Sequence, residues 1–262
     1  MRVAKRRCAI ARRNLELCFP ALSNAELERL LRENIYSTAL AVFETGIAWF
    51  WSRRRVEKLF HFQHLEILRD LQTQGQGAIL LVLHFTTLEM WASGFCGAIN
   101  NIDITYRPHD NPVYDLLQHW RRRHHNKSSE VVAAGDVRAM AKSLRAGRLL
   151  AYFPDQDYGP AMSTFAPFYG IPSATIVGLS RLASMGNAVV VPLMCERRAD
   201  QTGYDYQVMS PWQSYPSGDD LLDATRLNEH VEACVNRVPD QYLWVHRRFK
   251  TRPLGEPPVY GD

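Results

Sequence analysis

No stretch of this chain holds the roughly 18–20 consecutive apolar residues that a membrane-spanning helix requires. The longest candidate, Ala78 to Leu83, reads as a short apolar strand. An apolar signal segment is missing too: Arg2, Lys5, Arg6, Arg7, Arg12 and Arg13 open the chain with no apolar run beside them. Cysteine is scarce and irregular. The five, at positions 8, 18, 96, 195 and 234, make no Cys-x-x-Cys pair, which argues against a disulfide framework and against a zinc knuckle. A reducing, cytosolic-facing setting is the expectation. No Walker or dinucleotide glycine pattern occurs. Nor does a Gly-x-Ser-x-Gly elbow, so Ser-His-Asp catalysis lacks support. Net charge is only +4, so where the basic residues sit matters more than their number.

The 262 residues suffice for one large domain or two small ones, and a hydrophobic share of 46% against 22% charged is that of a folded globular chain. Residues 1–72 read as a helical N-terminal section. Ser23 and Glu26 have the spacing of a capping box after Pro20, and Leu27, Leu30 and Leu31 follow on one helical face. Ile35, Leu40, Phe43 and Ile47 continue the apolar pattern. Trp49 and Trp51 then stand beside Arg53, Arg54 and Arg55, the composition of a membrane interface; buried tryptophans beside a solvated basic turn read equally well. The basic start suits anionic lipid or another acidic surface, or simply a solvated helix face.

From residue 73 to 262 strands and helices alternate. Strands are expected at Ala78–Leu83, Ile102–Tyr106, Glu130–Ala134, Leu149–Phe153, Ala188–Met194 and Tyr204–Met209. Helices are expected at Leu88–Ala98, Asn111–His124, from Asp136 to near Gly147, Ala174–Met185 and from about Gly218 to Val238. The fold class is therefore α/β, a mostly parallel central sheet flanked by helices, with the helical N-terminal section belonging to one structural domain.

Ligands in such a sheet gather beyond the carboxyl ends of the strands. His84 directly follows the strand Ala78–Leu83, and Glu89 opens the next helix. The imidazole can take a proton from a substrate hydroxyl while a carboxylate fixes its tautomer and stabilises the imidazolium. A lone His and Glu at this spacing also arise by chance. Three neighbouring stretches add to the case. Tyr106-Arg-Pro-His-Asp-Asn-Pro112 puts Arg107 after a strand, where it binds phosphate or carboxylate or simply holds the turn. Trp120-Arg-Arg-Arg123, with His124, His125 and Lys127, spreads its charges around a helix. Phe153-Pro-Asp-Gln-Asp-Tyr-Gly-Pro160 carries Asp155 and Asp157 at another strand end, as orienting groups or as turn formers. A metal site is not expected, since only one histidine is well placed.

These stretches resemble the bacterial lipid A late acyltransferases, the lauroyl-, myristoyl- and palmitoleoyltransferases that finish Kdo2-lipid A, and most of all their lauroyl-type branch. The resemblance spans nearly the whole chain. It runs through Arg13-Asn-Leu-Glu-Leu-Cys-Phe-Pro20, Glu44-Thr-Gly-Ile-Ala-Trp-Phe-Trp51, His84 to Glu89, Tyr106 to Pro112, Asn126-Lys-Ser128, Pro154 to Pro160, and Gln241 to Pro253. It implies a glycerolipid-acyltransferase-like fold and an O-acyltransferase. Acyl carrier protein thioester is the implied donor and Kdo2-lipid IVA the acceptor. No cofactor, metal or nucleic-acid partner is implied. His84 is then the general base and Glu89 its orienting partner, with direct attack on the thioester. Arg122 and Asp155 match family positions near the catalytic centre. Arg107, Arg247, Arg248, Lys250 and Arg252 become contacts for acceptor or carrier, and Asp157 a supporting residue. The implied location is the cytoplasmic face of the inner membrane. Family members usually carry an N-terminal anchor helix, so the chain is expected to be either a truncated form or a peripheral binder. A different acceptor (another glycolipid, an ornithine lipid or a lysophospholipid) and a catalytically silent lipid- or carrier-binding homologue are the competing readings.

Overall fold

The computed structural model describes residues 2–106 and 130–261, together with 111, 113, 115 and 116. Most of the helix expected over Asn111–His124 lies outside them, as do Arg107, Arg122 and the basic run from 121 to 127.

The chain enters through α1 (Arg2–Cys18) and α2 (Asn24–Phe50). The start of α2 is the expected capping box: Ser23 Oγ accepts from the Glu26 amide, and Glu26 Oε2 accepts from the Ser23 amide at 2.9 Å. Leu27, Leu30 and Leu31 are buried as their spacing requires. Further along, the helix turns polar residues inward: Asn34, Ser37 and Glu44 are all buried. A short α3 (Arg53–Glu57) follows, and then a departure from the expected all-helical section. Phe60–Gln63 is a strand, β1, too short for its period to stand out in sequence.

Next come α4 (Glu66–Thr73), β2 (Ala78–Leu81), α5 (Leu88–Ala98), β3 (Ile102–Tyr106), β4 (Val131–Ala133), α6 (Val137–Arg145) and β5 (Leu149–Tyr152). Asp136 caps α6 by accepting from the Ala139 amide, as expected. A hairpin, β6 (Ser163–Phe168) and β7 (Ile171–Ile176), precedes α7 (Gly178–Gly186). Then follow β8 (Val189–Arg197), β9 (Tyr204–Val208) and α8 (Asp220–Arg237), and after them a C-terminal stretch without long elements. The hairpin corrects the expected helix Ala174–Met185, whose first residues belong to β7. Its turn is Tyr169-Gly170, both at positive φ (50° and 74°), which closes two strands tightly. The apolar run Ala174–Leu179 fits either period, and helix α8 decides it. Asn228 of α8 donates to Pro167 O (2.9 Å) and to Thr175 Oγ1 (2.8 Å), bonds that need the extended backbone.

The main sheet has the order β1-β9-β8-β2-β5-β3-β4. It is mixed but mostly parallel: β8, β2, β5, β3 and β4 run one way, while β9 is antiparallel to β8 and β1 parallel to β9. Ala78, Ile79, Leu80 and Leu81 of the central strand are fully buried between helical layers, as a strand covered on both faces must be. Gly94 lets α5 sit against β1; a Cβ there would collide with the Phe60 ring. Among the described residues no helix is long and apolar enough to cross a membrane.

Candidate active site

Parallel pairing sets Leu81 of β2 beside Tyr152 of β5. Three residues beyond each lie His84 and Asp155, so equal offsets from an aligned pair bring them together at the carboxyl edge of the sheet. His84 Nδ1 lies 2.6 Å from Asp155 Oδ1, and the His84 amide donates to Asp155 Oδ2 at 2.8 Å. The Asp155 side chain is wholly buried, while that of His84 keeps 18% exposure. Burial alone would raise the Asp155 carboxyl. The charge of the His84 ring and the hydrogen bonds from His84 outweigh it and hold the group below its ordinary value. Asp155 is therefore a carboxylate, Nδ1 carries the donated proton, and Nε2 is the nitrogen left to accept one.

This arrangement changes one assignment. The expected orienting partner of His84 was Glu89, but the carboxylate on Nδ1 is Asp155. Glu89 stands in the first turn of α5, where its Oε2 accepts from Trp49 Nε1 of α2 at 3.0 Å. Trp49, with 6% exposure, is thus a buried residue coupled to the motif rather than an interfacial one.

The C-terminal stretch runs alongside the His84 turn. Leu243 N donates to His84 O (3.0 Å) and Thr86 N to Gln241 O (2.8 Å). Asn14 of α1, fully buried, donates to Trp244 O (2.6 Å) and His246 O (2.8 Å), clamping that stretch from outside. Tyr242, Trp244, His246 and Gln156 line a small recess with His84 and Asp155. An imidazole held by a buried carboxylate at a sheet edge, with a small recess beside it, suits deprotonation of a hydroxyl.

Comparison with known proteins narrows that chemistry. The model of the bacterial lipid A biosynthesis acyltransferases matches residues 1–251. The chain belongs to this family. It is 41% identical to the lipid A biosynthesis lauroyltransferase of Escherichia coli K12 over 99% of this chain and 84% of the relative. The palmitoleoyltransferase of the same strain is 38% identical over 98% of this chain and 83% of its own length. The myristoyltransferase is 29% identical over 93% and 75%. The protein is an acyltransferase of lipid A biosynthesis.

Within this acyltransferase several expected contact residues prove to be braces. Asp157 is buried; its oxygens accept from Gly159 N (2.9 Å), Thr251 N (2.8 Å) and Thr251 Oγ1 (2.9 Å), tying the site loop to the C-terminal stretch. Arg248 is 3% exposed: it donates to Ala174 O (2.9 Å) and Asn228 Oδ1 (3.1 Å) and covers the Phe168 ring. Arg248 is therefore an internal clamp rather than the expected substrate contact. Arg252 donates to Pro172 O (2.6 Å) and pairs with Glu256. Lys250 remains exposed, 4.0 Å from Asp157, and Arg247 is partly exposed over Tyr260. Arg107 and Arg122 lie outside the described residues.

A second polar cluster, not expected from sequence, backs the His84–Glu89 turn. Arg197 at the end of β8 forks onto Glu44 of α2, Nε to Oε1 at 2.7 Å and Nη2 to Oε2 at 2.8 Å, and Nη1 donates to Ser37 Oγ at 2.8 Å. Tyr204 OH donates to Glu44 Oε1 at 2.6 Å, and Ser37 Oγ meets Thr86 Oγ1 at 2.9 Å. Burial would lower the Arg197 value, but the hydrogen bond and the charge of Glu44 together outweigh it and raise it. The Glu44-Thr-Gly-Ile-Ala-Trp-Phe-Trp51 stretch therefore anchors α2 to the active-site turn through its first and sixth residues.

Burial lowers two histidines, His230 and His246, to about 4; for His246 the carboxylate of Asp155 pulls up while His84, Arg248 and Lys250 push down. Unfolded, each titrates near ~6.5. Between those values the unfolded chain binds more protons, so stability falls as pH drops through that window, by up to about 3 kcal/mol per ring. Urea denaturation at pH 7 and at pH 4.5 is expected to show this loss, and His230→Gln to remove part of it. Equal stability at both pH values would contradict the buried, neutral assignment.

Proposed function

We propose that the chain moves a fatty acyl group, lauroyl in our reading, from acyl carrier protein to a hydroxyl of a 3-hydroxyacyl chain on Kdo2-lipid IVA at the cytoplasmic face of the inner membrane. The observation that carries the mechanism is the 2.6 Å contact between His84 Nδ1 and buried Asp155. The 41% identity to a lauroyltransferase over 99% of the chain supports the choice of acyl group and acceptor.

His84 Nε2 takes the proton of the acceptor hydroxyl as its oxygen attacks the thioester carbonyl carbon. The carbon–sulfur bond then breaks, and the leaving thiolate takes the proton back from the imidazolium. Asp155 stabilises that imidazolium and holds the ring. No acyl-enzyme is required. Burial pushes the thiols of Cys18, Cys195 and Cys234 up, which suits inert structural cysteines rather than nucleophiles. Glu89 positions the turn through Trp49. Arg107 and Arg122 keep the substrate-binding role the family resemblance implies. Half-exposed Arg247 and exposed Lys250 offer cationic contacts to the acidic carrier.

The test is mass spectrometry of lipid A from a strain lacking its own late acyltransferases and expressing either this chain or its His84→Ala variant. One added lauroyl chain is expected with the first and none with the second. Addition of a different chain would revise the donor; addition by His84→Ala would remove the proposed base.

A further inference from the structure

From Asn34 onward, helix α2 turns polar side chains inward and apolar ones outward. Its buried face carries Asn34, Ser37 and Glu44, each bonded inward: Asn34 to Asp240 O and Tyr242 O (both 2.8 Å), Ser37 to Thr86, and Glu44 to Arg197 and Tyr204. Its outer face carries Ile35, Tyr36, Val42 and Phe43, all exposed, the last two at 72% and 73%. At 3.6 residues per turn these four, with Ala39, Gly46 and Phe50, fall within an arc of about 120° and run roughly 22 Å along the helix. An apolar arc of this kind opposite a polar face bonded inward has no place in the protein's own core, and contiguous exposed apolar surface marks an interaction site.

What covers it is indicated by the end of the stripe. Trp51 closes α2 and lies under the Arg55 guanidinium, 3.9 Å from ring centroid to cation. Exposed Arg53, Arg54, Arg55 and Lys58 follow at once. The order along the surface is apolar, then aromatic, then cationic. A helix lying flat sets such a stripe in the acyl boundary while its aromatic and cationic end meets the interface and the anionic headgroups.

We propose that the outer face of α2, with the Arg53–Arg55 cluster, seats the enzyme on an anionic lipid bilayer. Because Ser37 and Trp49 on the inner side of the same helix hold Thr86 and Glu89, seating α2 sets the catalytic turn about one helix diameter, roughly 10 Å, from the lipid. An amphiphilic acceptor then meets His84 with its acyl chains still in the membrane. This deepens the function proposed above, yet vesicle binding is measured without donor or acceptor, so either reading can fail alone.

The experiment is vesicle flotation of the whole chain. The vesicles are phosphatidylcholine alone or phosphatidylcholine with phosphatidylglycerol. The variants are Val42→Asp with Phe43→Asp, the milder Phe43→Ser, and Arg54→Glu with Arg55→Glu; circular dichroism and melting show that each is folded. The wild type is expected to float with the mixed vesicles. The double aspartate variant should lose roughly tenfold or more in partitioning, with Phe43→Ser between. The charge reversal should lose a similar factor on mixed vesicles only. Equal partitioning of the wild type and the double aspartate variant would overturn the proposal. So would light scattering in which the wild type is a dimer that the same variant dissolves, since the stripe would then be a subunit interface.

Discussion

Asp155→Asn is expected to lower kcat by about three to four orders of magnitude while leaving KM for the acceptor within about twofold. The size follows from where the two carboxylate oxygens sit. Oδ2 accepts the His84 amide at 2.8 Å, and Oδ1 faces Nδ1 at 2.6 Å. In the asparagine variant the backbone N–H claims the side-chain carbonyl, because that donor cannot turn away. The amide NH2 is then left against Nδ1 and makes it an acceptor. The ring proton moves to Nε2, the nitrogen that has to take the substrate proton. Geometry survives and the tautomer is wrong. Nitrogen NMR of the His84 ring should report the switch directly, and a variant within tenfold of wild-type kcat would mean that Asp155 does not orient the base.

The reason sequence reading gave that role to Glu89 is physical. Local periodicity and turn chemistry reveal what neighbours in the chain do. They located α5 and β3 at their observed bounds, the Ser23–Glu26 cap, and His84 at a strand end. Glu89 was the carboxylate in view because it lies five residues away. Asp155 lies 71 residues from His84 and becomes adjacent only through the register of β2 on β5. Sequence places each of the two at a strand end; which carboxylate meets the ring is a fact of register. Arg248 misled for a related reason. A run of Arg247, Arg248, Lys250 and Arg252 reads as a surface patch, but the Arg248 guanidinium is taken inside by Asn228 and Ala174, partners from elements whose packing no local pattern announces. The β6–β7 hairpin was missed because its apolar residues satisfy both periods until α8 packs on it.

The same distance problem hid Glu44 and Arg197, 153 residues apart, and their pairing has the largest expected effect on stability. The two side chains keep only 10% and 11% exposure. Arg197→Ala leaves the Glu44 charge buried with only the Tyr204 hydroxyl to answer it, which costs about 3–5 kcal/mol. For a chain of this length that lowers the melting temperature by roughly 6–20 °C. The cost belongs to the orphaned charge rather than to the lost attraction, and a further variant separates the two. Glu44→Leu with Arg197→Met and Tyr204→Phe removes every member of the cluster that needs the others, and should recover most of the melting temperature. Ser37 still meets Thr86 in that variant, and Gln241 still bonds the backbone of residue 197, so kcat should stay within about tenfold of wild type. Thermal melts and initial rates on the three proteins check both parts. If Arg197→Ala melted within about 2 °C of wild type, water must reach the pair and α2 would be held by its other contacts.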